Sequence, residues 1–389
     1  MKVLLCHPGT QHAGRLATLL RRENLLDTFF TGFRVRPDSF LGRRLRLSGL
    51  RALDESLDDC TLQIRAPELL AKLAQCLGWS GERLMRLRNA WFQKLIPDRA
   101  IAACDAMIGF DTSSWILARR ATRFGKPFFL DRAAIHRRTR AKIRASVDCG
   151  IAVPAGDAQD AVETEEMEIA TRVVVASRFS EHSMREAGIA AGKIEVIPYG
   201  VDSDSFFPGE KRDAGGGRMV FLFVGLLKKE KGILTLLDAW SQLAAPDAEL
   251  WLAGSGEADV IEAARGGPGV KVFGKLAQEE LRQIYRDADV FVFPTFYDGF
   301  GMVLLEAMSS GLPVIATPNC AAPELIREGE AGVIFPAGDV AELRTAMADA
   351  CANRAAWMQR GAVAREIAKS HSWDAYGKRW ARLLREVVP

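Results

Sequence analysis

Short apolar runs recur along this chain, each followed by a stretch in which apolar residues return every three or four positions. In the second half the runs are MVFLFVG (219–225), AELWLAG (248–254), VKVFG (270–274), VFVFPT (290–295), PVIAT (313–317) and GVIFP (332–336). Their unbroken hydrophobicity is that of strands buried on both faces of a parallel sheet. GILTLLDAWSQL (232–243) and QEELRQIYRDA (278–288) carry helical periodicity between them. Strand–helix alternation at this spacing predicts a doubly wound α/β domain.

The first half opens in the same way. KVLLCHP (2–8) reads as a buried strand and GRLATLLRREN as the helix after it, followed later by DAMIGF (105–110), KPFFLD (126–131), RVVVAS (172–177) and KIEVIPYG (193–200). Ser180 is the expected cap of the helix between the last two strands. DSDSFFPGEKRDAGGGR (202–218), rich in Gly, Asp and Ser, is the best linker candidate. The expected organisation is a first Rossmann-like domain over 1–205 and a second over 206–372. A terminal amphipathic helix over about 373–389, anchored by Trp373, Tyr376 and Trp380, is expected to pack back on the first. Two such domains face a central cleft, and ligands belong at the strand ends that border it.

Composition narrows the class. With 389 residues, 48% hydrophobic and 26% charged, the chain is expected to be a soluble two-domain protein. No uncharged apolar run of membrane-spanning length occurs, and the start, MKVLLCHPGTQ, has too short an apolar stretch for a signal peptide. Seven scattered cysteines without a CxxC pair point to reduced thiols in a cytoplasm, and five histidines form no metal-spaced cluster. Charge is uneven: residues 1–147 hold 27 Lys and Arg against 13 Asp and Glu, while the remainder holds 25 against 36. The basic half is read either as a surface for something anionic or as solvated helix faces attracted to an acidic partner half.

The stretch FYDGFGMVLLEAM (296–308) holds the candidate chemistry. It follows a strand, turns through Asp298-Gly299-Phe300-Gly301 and enters a helix that Gly311 and Pro313 end. Glycines let a ligand approach the backbone, and the first amides of a helix lack intrahelical acceptors, so the turn suits phosphate or another electron-rich oxygen. Asp298 before the helix and Glu306 inside it could accept hydrogen bonds from sugar hydroxyls. By spacing alone, a loop acid followed by an amphipathic helix explains the pair equally well.

The surrounding run from Val272 to Pro318 resembles the donor-binding half of the retaining glycosyltransferase family 4 enzymes, which have the GT-B fold. The resemblance continues through VASRFSEHSMREAGIAAGKIEVIPYGVD (175–202), FVGLLKKEKGILTLLDAW (223–240), LAGSGE (252–257) and PELIREGEAGVIFP (323–336). It covers roughly 170–389 well. Over the first half it is looser, resting on HPGTQHAGRLATLL (7–20) and FFLDRAAIHRRT (128–139).

The resemblance implies transfer from a nucleoside diphosphate sugar, UDP- or GDP-linked, with retained configuration and with neither catalytic metal nor other cofactor. Asp298 and Glu306 occupy the positions of the family's Glu-x7-Glu pair. Glu306 is thereby assigned to the donor ribose, and Asp298 with the amides of Phe300, Gly301 and Met302 to the transferred sugar, with Val303 a further residue of the donor site. After Gly225 the family often has Arg, where Leu226 stands here. Lys231, and Lys228 or Lys229 in place of that Arg, are the expected diphosphate cations, which would stabilise charge growing on the leaving group. LAGSGE lacks a full GxGxxG and reads as a tight turn lining the cleft, not as a dinucleotide site.

In the first half, Gly9 and Thr10 are the expected phosphate contacts, His12 is a weaker acceptor candidate, and Arg15 could equally be surface. His136 has two readings: a neutral imidazole on a sugar hydroxyl, or one more polar residue of a basic helix. The expected partners are the nucleotide-sugar donor and a glycan, lipid-linked or small-molecule acceptor, with no nucleic acid. The segment 82–96, with Leu84, Leu87, Trp91 and Leu95, serves either an anionic membrane surface at the inner face or, more in keeping with ordinary helices, the core. The competing function is a non-catalytic sugar-nucleotide-binding protein, which the Asp298 and Leu226 departures motivate. A GT-B-like epimerase or phosphorylase is disfavoured, since the matched motifs are those of transferases.

Overall fold

The computed structural model describes residues 1–9, 11–34, 54–147, 158–209, 217–243, 245–327 and 329–388. The expected segments 34–51 and 202–218 thus fall largely or partly outside the described residues, as do Thr10 and Cys149.

Two parallel sheets make the frame. The first has seven strands: β1 (Val3–His7), β2 (Leu26–Thr31), β3 (Thr61–Gln63), β4 (Ala106–Phe110), β5 (Phe128–Arg132), β6 (Arg172–Val175) and β7 (Ile194–Val196), in the order β3-β2-β1-β4-β5-β6-β7. The second has six: β8 (Met219–Val224), β9 (Ala248–Ala253), β10 (Val270–Gly274), β11 (Val290–Phe293), β12 (Val314–Ala316) and β13 (Gly332–Ile334), in the order β10-β9-β8-β11-β12-β13. All six strands expected in the second half form. In the first half β2 and β3 are additions. LDTFFT is interrupted after its buried first residue by exposed Asp27 and half-exposed Thr28, and three-residue β3 is an edge, so neither shows a continuous buried apolar run.

Strand order reverses between β1 and β4 and again between β8 and β11, and the crevice at such a switch point is where open α/β sheets bind ligands. The expected stretch 296–308 follows β11, and the lysine-rich loop follows β8.

The turn at Gly299 joins the two sheets, beside an Arg144–Glu230 ion pair at 3.5 Å. The Ser177 and Ser180 hydroxyls both donate to the Gly299 carbonyl, at 2.6 and 2.8 Å, and the Arg178 amide donates to Glu324 at 2.6 Å. A side chain on Gly299 would meet the Ala133 carbonyl at 1.9 Å, so only glycine permits this approach. Ser177, not Ser180, caps the helix Arg178–Glu186: its oxygen accepts the Ser180 amide at 3.1 Å. Ser180 lies one turn inside and spends its hydroxyl on the other domain.

The helix Trp373–Val387 returns to the first sheet. Gly377 packs on Leu19, the Arg15 guanidinium lies 4.5 Å from the Trp373 ring centroid, and the Tyr376 hydroxyl donates to Asp131 at 3.1 Å. Before it, Phe206 and Gly209 lie against the second domain: the Ser309 hydroxyl donates to the Phe206 carbonyl at 2.7 Å. The six described cysteines are all unpaired. Among the described residues no helix is long and apolar enough to cross a membrane.

The 82–96 segment corrects the core expectation. The helix Glu82–Leu95 buries Asn89, Phe92 and Gln93, whereas Leu87, Trp91 and Leu95 are exposed and Leu84 is half-buried. Its neighbour Ala66–Cys76 exposes Leu69, Leu70 and Leu73 as well.

Because the inter-sheet contact depends on a missing side chain, Gly299→Ala should destabilise the fold by about 2 kcal/mol through forced separation of the turn from Ala133. Ser177→Ala should cost about 1 kcal/mol, since Ser180 still donates to the same carbonyl. Chemical denaturation of both variants checks the ranking.

Candidate active site

The helix Met302–Ser309 starts from Gly301, which has φ +84° and so takes a left-handed conformation open to glycine. Its first amides face the crevice end of β11. Leu304 donates to the Gly301 carbonyl at 2.9 Å, but among the described residues the amides of Gly301, Met302 and Val303 have no acceptor. The Phe300 amide differs from its expected role: it donates to Asp298 Oδ1 at 3.0 Å. The free donors at this turn are therefore three, displaced one residue toward the helix. Together with the helix dipole they favour an anionic or electron-rich oxygen.

Asp298 is fixed from both sides. Its amide donates to the Asn319 carbonyl at 2.9 Å, and Oδ2 accepts from Lys231 Nζ at 2.7 Å. Lys231 also donates to the Tyr297 carbonyl at 3.2 Å. The structure thus brings two expected residues together as an ion pair, across the loops that follow β8 and β11. In that arrangement Lys231 partly neutralises Asp298 and stands beside the helix start. Gly225 ends β8 and donates to the Ala253 carbonyl at 3.0 Å, which lays the loop after β8 along the loop after β9. The LAGSGE glycines serve that packing: a side chain on Gly254 would meet the Gly225 carbonyl at 1.8 Å, and one on Gly256 the Leu227 carbonyl at 1.9 Å.

Of the other lysines, Lys229 lies 3.5 Å from Asp259, whereas Lys228 has no acidic partner among the described residues. Leu226, at the position of the family's arginine, is exposed. Lys228 is therefore the available second cation of this loop.

Glu306 lies one turn into the helix. Its Oε2 accepts from the Tyr285 hydroxyl at 3.0 Å, and Oε1 has no partner among the described residues. Burial raises its pKa, and the Tyr285 hydrogen bond opposes that rise. A carboxylate so held keeps one oxygen ready for a hydroxyl donor.

On the first domain, His12 Nε2 lies 2.8 Å from Asp131 Oδ2, the same oxygen that accepts from Tyr376. The rings of Tyr199 and Phe300, 5.2 Å apart, connect this cluster to the Asp298 turn. Gly9 is enclosed: its amide donates to His7 Nδ1 at 3.0 Å and its carbonyl accepts from Arg34 at 2.9 Å. The sequence singles out Tyr376 as a helix anchor only, and Asp131, Tyr199 and Tyr285 not at all. Asp131 alone had a usable signal, as an acid closing a parallel strand.

His136 is buried at the cap of helix Arg137–Ser146, where its Nδ1 accepts the Arg138 amide at 3.1 Å. The proton therefore sits on Nε2, which has no partner among the described residues. Burial first, and Arg132 next, lower its pKa to about 4, so the imidazole is neutral at pH 7.

Residues 218–353 match the family described as "Glycosyl transferases group 1". Sulfoquinovosyl transferase SQD2 of Arabidopsis thaliana is 33% identical over 199 residues, which cover 48% of this chain and 38% of that protein. Across the first curated relatives the matched part spans about half of their length or less. Among solved structures, sucrose-phosphate synthase from Thermosynechococcus elongatus superposes with a TM-score of 0.69 at 20% identity, over 100% of this chain and 99% of the other. HepE from Anabaena, solved in complex with UDP and glucose, gives 0.68 at 17% identity over 99% and 100%. These likenesses show the fold to be GT-B, as expected.

The depressed pKa of His136 sets a signed pH dependence. Between about 4 and 6.5 the unfolded chain binds a proton that the folded one refuses, so this residue's contribution to stability falls as pH falls through that window. His136→Gln should cost about 1 kcal/mol at neutral pH through the weakened cap, and the deficit should shrink toward pH 4. Denaturation midpoints of both proteins across the window give the comparison.

Proposed function

We propose that this chain, whose residues 218–353 match the group 1 glycosyltransferases, moves a sugar from a nucleoside diphosphate sugar to an acceptor hydroxyl with retained configuration. The observation that carries this reading is the row of three amides without an acceptor among the described residues, at Gly301, Met302 and Val303, between the Lys231–Asp298 pair and Glu306. The UDP and glucose complex of HepE supports a UDP-linked donor, with a GDP-linked one the alternative.

In this reading Glu306 Oε1 accepts a ribose hydroxyl, while Lys231, Lys228 and the helix amides hold the diphosphate. Asp298 orients the transferred sugar. The bond from the anomeric carbon to the phosphate oxygen breaks with its electron pair on the diphosphate, and a bond to the acceptor oxygen forms on the same face. The acceptor proton passes to the departing phosphate oxygen. Negative charge grows on that leaving group, where preorganised cations and amides stabilise it most. No protein nucleophile and no metal are assigned to the step.

A second reading has its own observation. The His12–Asp131 contact is the arrangement of a general base oriented by a carboxylate, and a base-activated acceptor attacking the opposite face would invert the configuration. Proton NMR of the first-formed product decides: an α-linked product from an α-linked donor supports retention, and a β-linked one assigns the proton to His12.

The acceptor is proposed to belong to a glycolipid or polysaccharide at the inner face of a membrane. Leu69, Leu70, Leu73, Leu87, Trp91 and Leu95 are exposed on two neighbouring helices that also carry Lys72, Arg83 and Lys94. Apolar side chains interleaved with cations suit an anionic bilayer.

Two measurements test the reading. Glu306→Ala and Lys231→Ala should each weaken calorimetric UDP or GDP affinity by about tenfold, the loss of one charge-assisted contact. Asp298→Ala should lower kcat more than it weakens binding. Unchanged affinity for UDP, GDP and ADP in the first two variants would sink the donor site. In co-sedimentation, the chain should pellet with phosphatidylserine vesicles and not with phosphatidylcholine, and Trp91→Ala with Leu87→Ala should reduce the pelleted fraction.

A further inference from the structure

The basic helix Arg137–Ser146 belongs to the first domain, yet its far end meets the second. It starts just after Ala133, whose carbonyl leaves room for no side chain on Gly299. Arg144 follows about two turns beyond His136, and its Nε lies 3.5 Å from Glu230 Oε2. The two side chains are 25% and 16% exposed, so solvent screens the pair less than a surface one. Nε is buried and makes no hydrogen bond among the described residues, which leaves the contact one of charge.

Arg144 reaches the point where the two donor loops are laced together. Glu230 sits in the short turn Lys229–Lys231 after β8, and its carbonyl accepts the Phe296 amide, after β11, at 3.0 Å. Its carboxylate faces the Tyr297 hydroxyl. Burial first, and Glu230 next, push that tyrosine's pKa up to about 12, so it remains a donor at neutral pH. Lys231 donates to the Tyr297 carbonyl at 3.2 Å and to Asp298 at 2.7 Å. Gly232 follows at φ +71°, and a side chain there would meet the Pro294 carbonyl at 2.0 Å.

On charge alone, an acid is out of place in this loop. Lys228, Lys229 and Lys231 flank Glu230, and a diphosphate held by those lysines would be repelled by its carboxylate. Neither neighbouring lysine neutralises it: Lys229 lies 3.5 Å from Asp259, and Lys231 pairs with Asp298. Arg144 supplies the opposite charge, from the other domain.

We propose that Arg144 is a positioning residue for the donor diphosphate: through Glu230 it holds the lysine loop against the Tyr297–Asp298 turn. The first domain thereby sets the second domain's grip on its ligand. The proposal rests on the donor-site reading and adds to it a residue of the opposite domain. Arg144 itself touches neither sugar nor nucleotide.

The sign of one substitution separates positioning from simple charge. If Glu230 only adds negative charge, Glu230→Gln strengthens binding of a diphosphate, because a repulsion is removed. If Glu230 holds the loop, the same substitution weakens binding. Calorimetry on the full chain with UDP and GDP makes the measurement. Glu230→Gln and Arg144→Met, which keeps an apolar stem and loses the charge, should each weaken the tighter-binding nucleotide by about fivefold. The double variant should also lose about fivefold, not the product of the two, because both residues act through one contact. Arg144→Lys should recover most of the affinity, and UMP or GMP, one phosphate shorter, should lose less than the diphosphate.

Stronger or unchanged diphosphate binding in Glu230→Gln, losses that multiply in the double variant, or equal losses for mono- and diphosphate overturns the proposal. The double variant leaves neither charge unpaired, so it decides if a single variant melts early, and unchanged affinity there is a refutation. Glu306→Ala keeps the two readings apart. If it weakens UDP or GDP binding while Arg144→Met and Glu230→Gln do not, the positioning role alone fails. If the unsubstituted chain binds neither nucleotide, the donor site fails and this role with it.

Discussion

The working geometry of this protein depends on one carbonyl. Gly299 offers its oxygen to two serine hydroxyls of the first domain and its bare Cα to the Ala133 carbonyl. The residues proposed for the donor between Asp298 and Glu306 flank that contact, and Lys231 reaches them from the loop after β8 through Asp298. Two hydrogen bonds to one acceptor constrain direction as well as distance, so the helix start is aimed, not merely placed, toward the loop after β5. Serines suit the task because a hydroxyl can donate outward while the same oxygen accepts locally, as Ser177 does for the Ser180 amide.

Around this fixed point the charges are held in pairs that a ligand could re-divide. Lys231 rests on Asp298, and Glu306 rests on a buried tyrosine. Such pairing keeps the groups in position at modest desolvation cost, and it leaves each with capacity for a second partner. With exposed Leu226 at the position where the family often has arginine, the proposed diphosphate cations are the neighbouring lysines, of which Lys228 has no acidic partner among the described residues.

Much of the second domain was legible in the sequence because its strands are buried on both faces and so read as continuous apolar runs. The same physics hid β2 and β3, whose polar or edge positions break the run. Asp298 and Glu306 were visible through spacing and made specific by family resemblance. The Phe300 amide was misassigned because a backbone donor taken by a side chain two residues earlier leaves no pattern. The face of Leu87, Trp91 and Leu95 left surface and core both open, since apolar periodicity reports an amphipathic helix and not what covers it. The contact of Asp131 with Tyr376 spans 245 residues, and no local signal encodes such a partner.

That long contact also orders events in the life of the chain. The oxygen of Asp131 that meets His12 is the one that Tyr376 completes. During synthesis the first seven-stranded sheet can form long before the helix that carries Tyr376 leaves the ribosome, because domains fold as units from the amino end. The His12–Asp131 cluster therefore stays unfinished for the whole time the second domain is being made. A nascent first domain owns its crevice but lacks the hydroxyl that closes it, and assembly of that cluster reports that translation has passed residue 376.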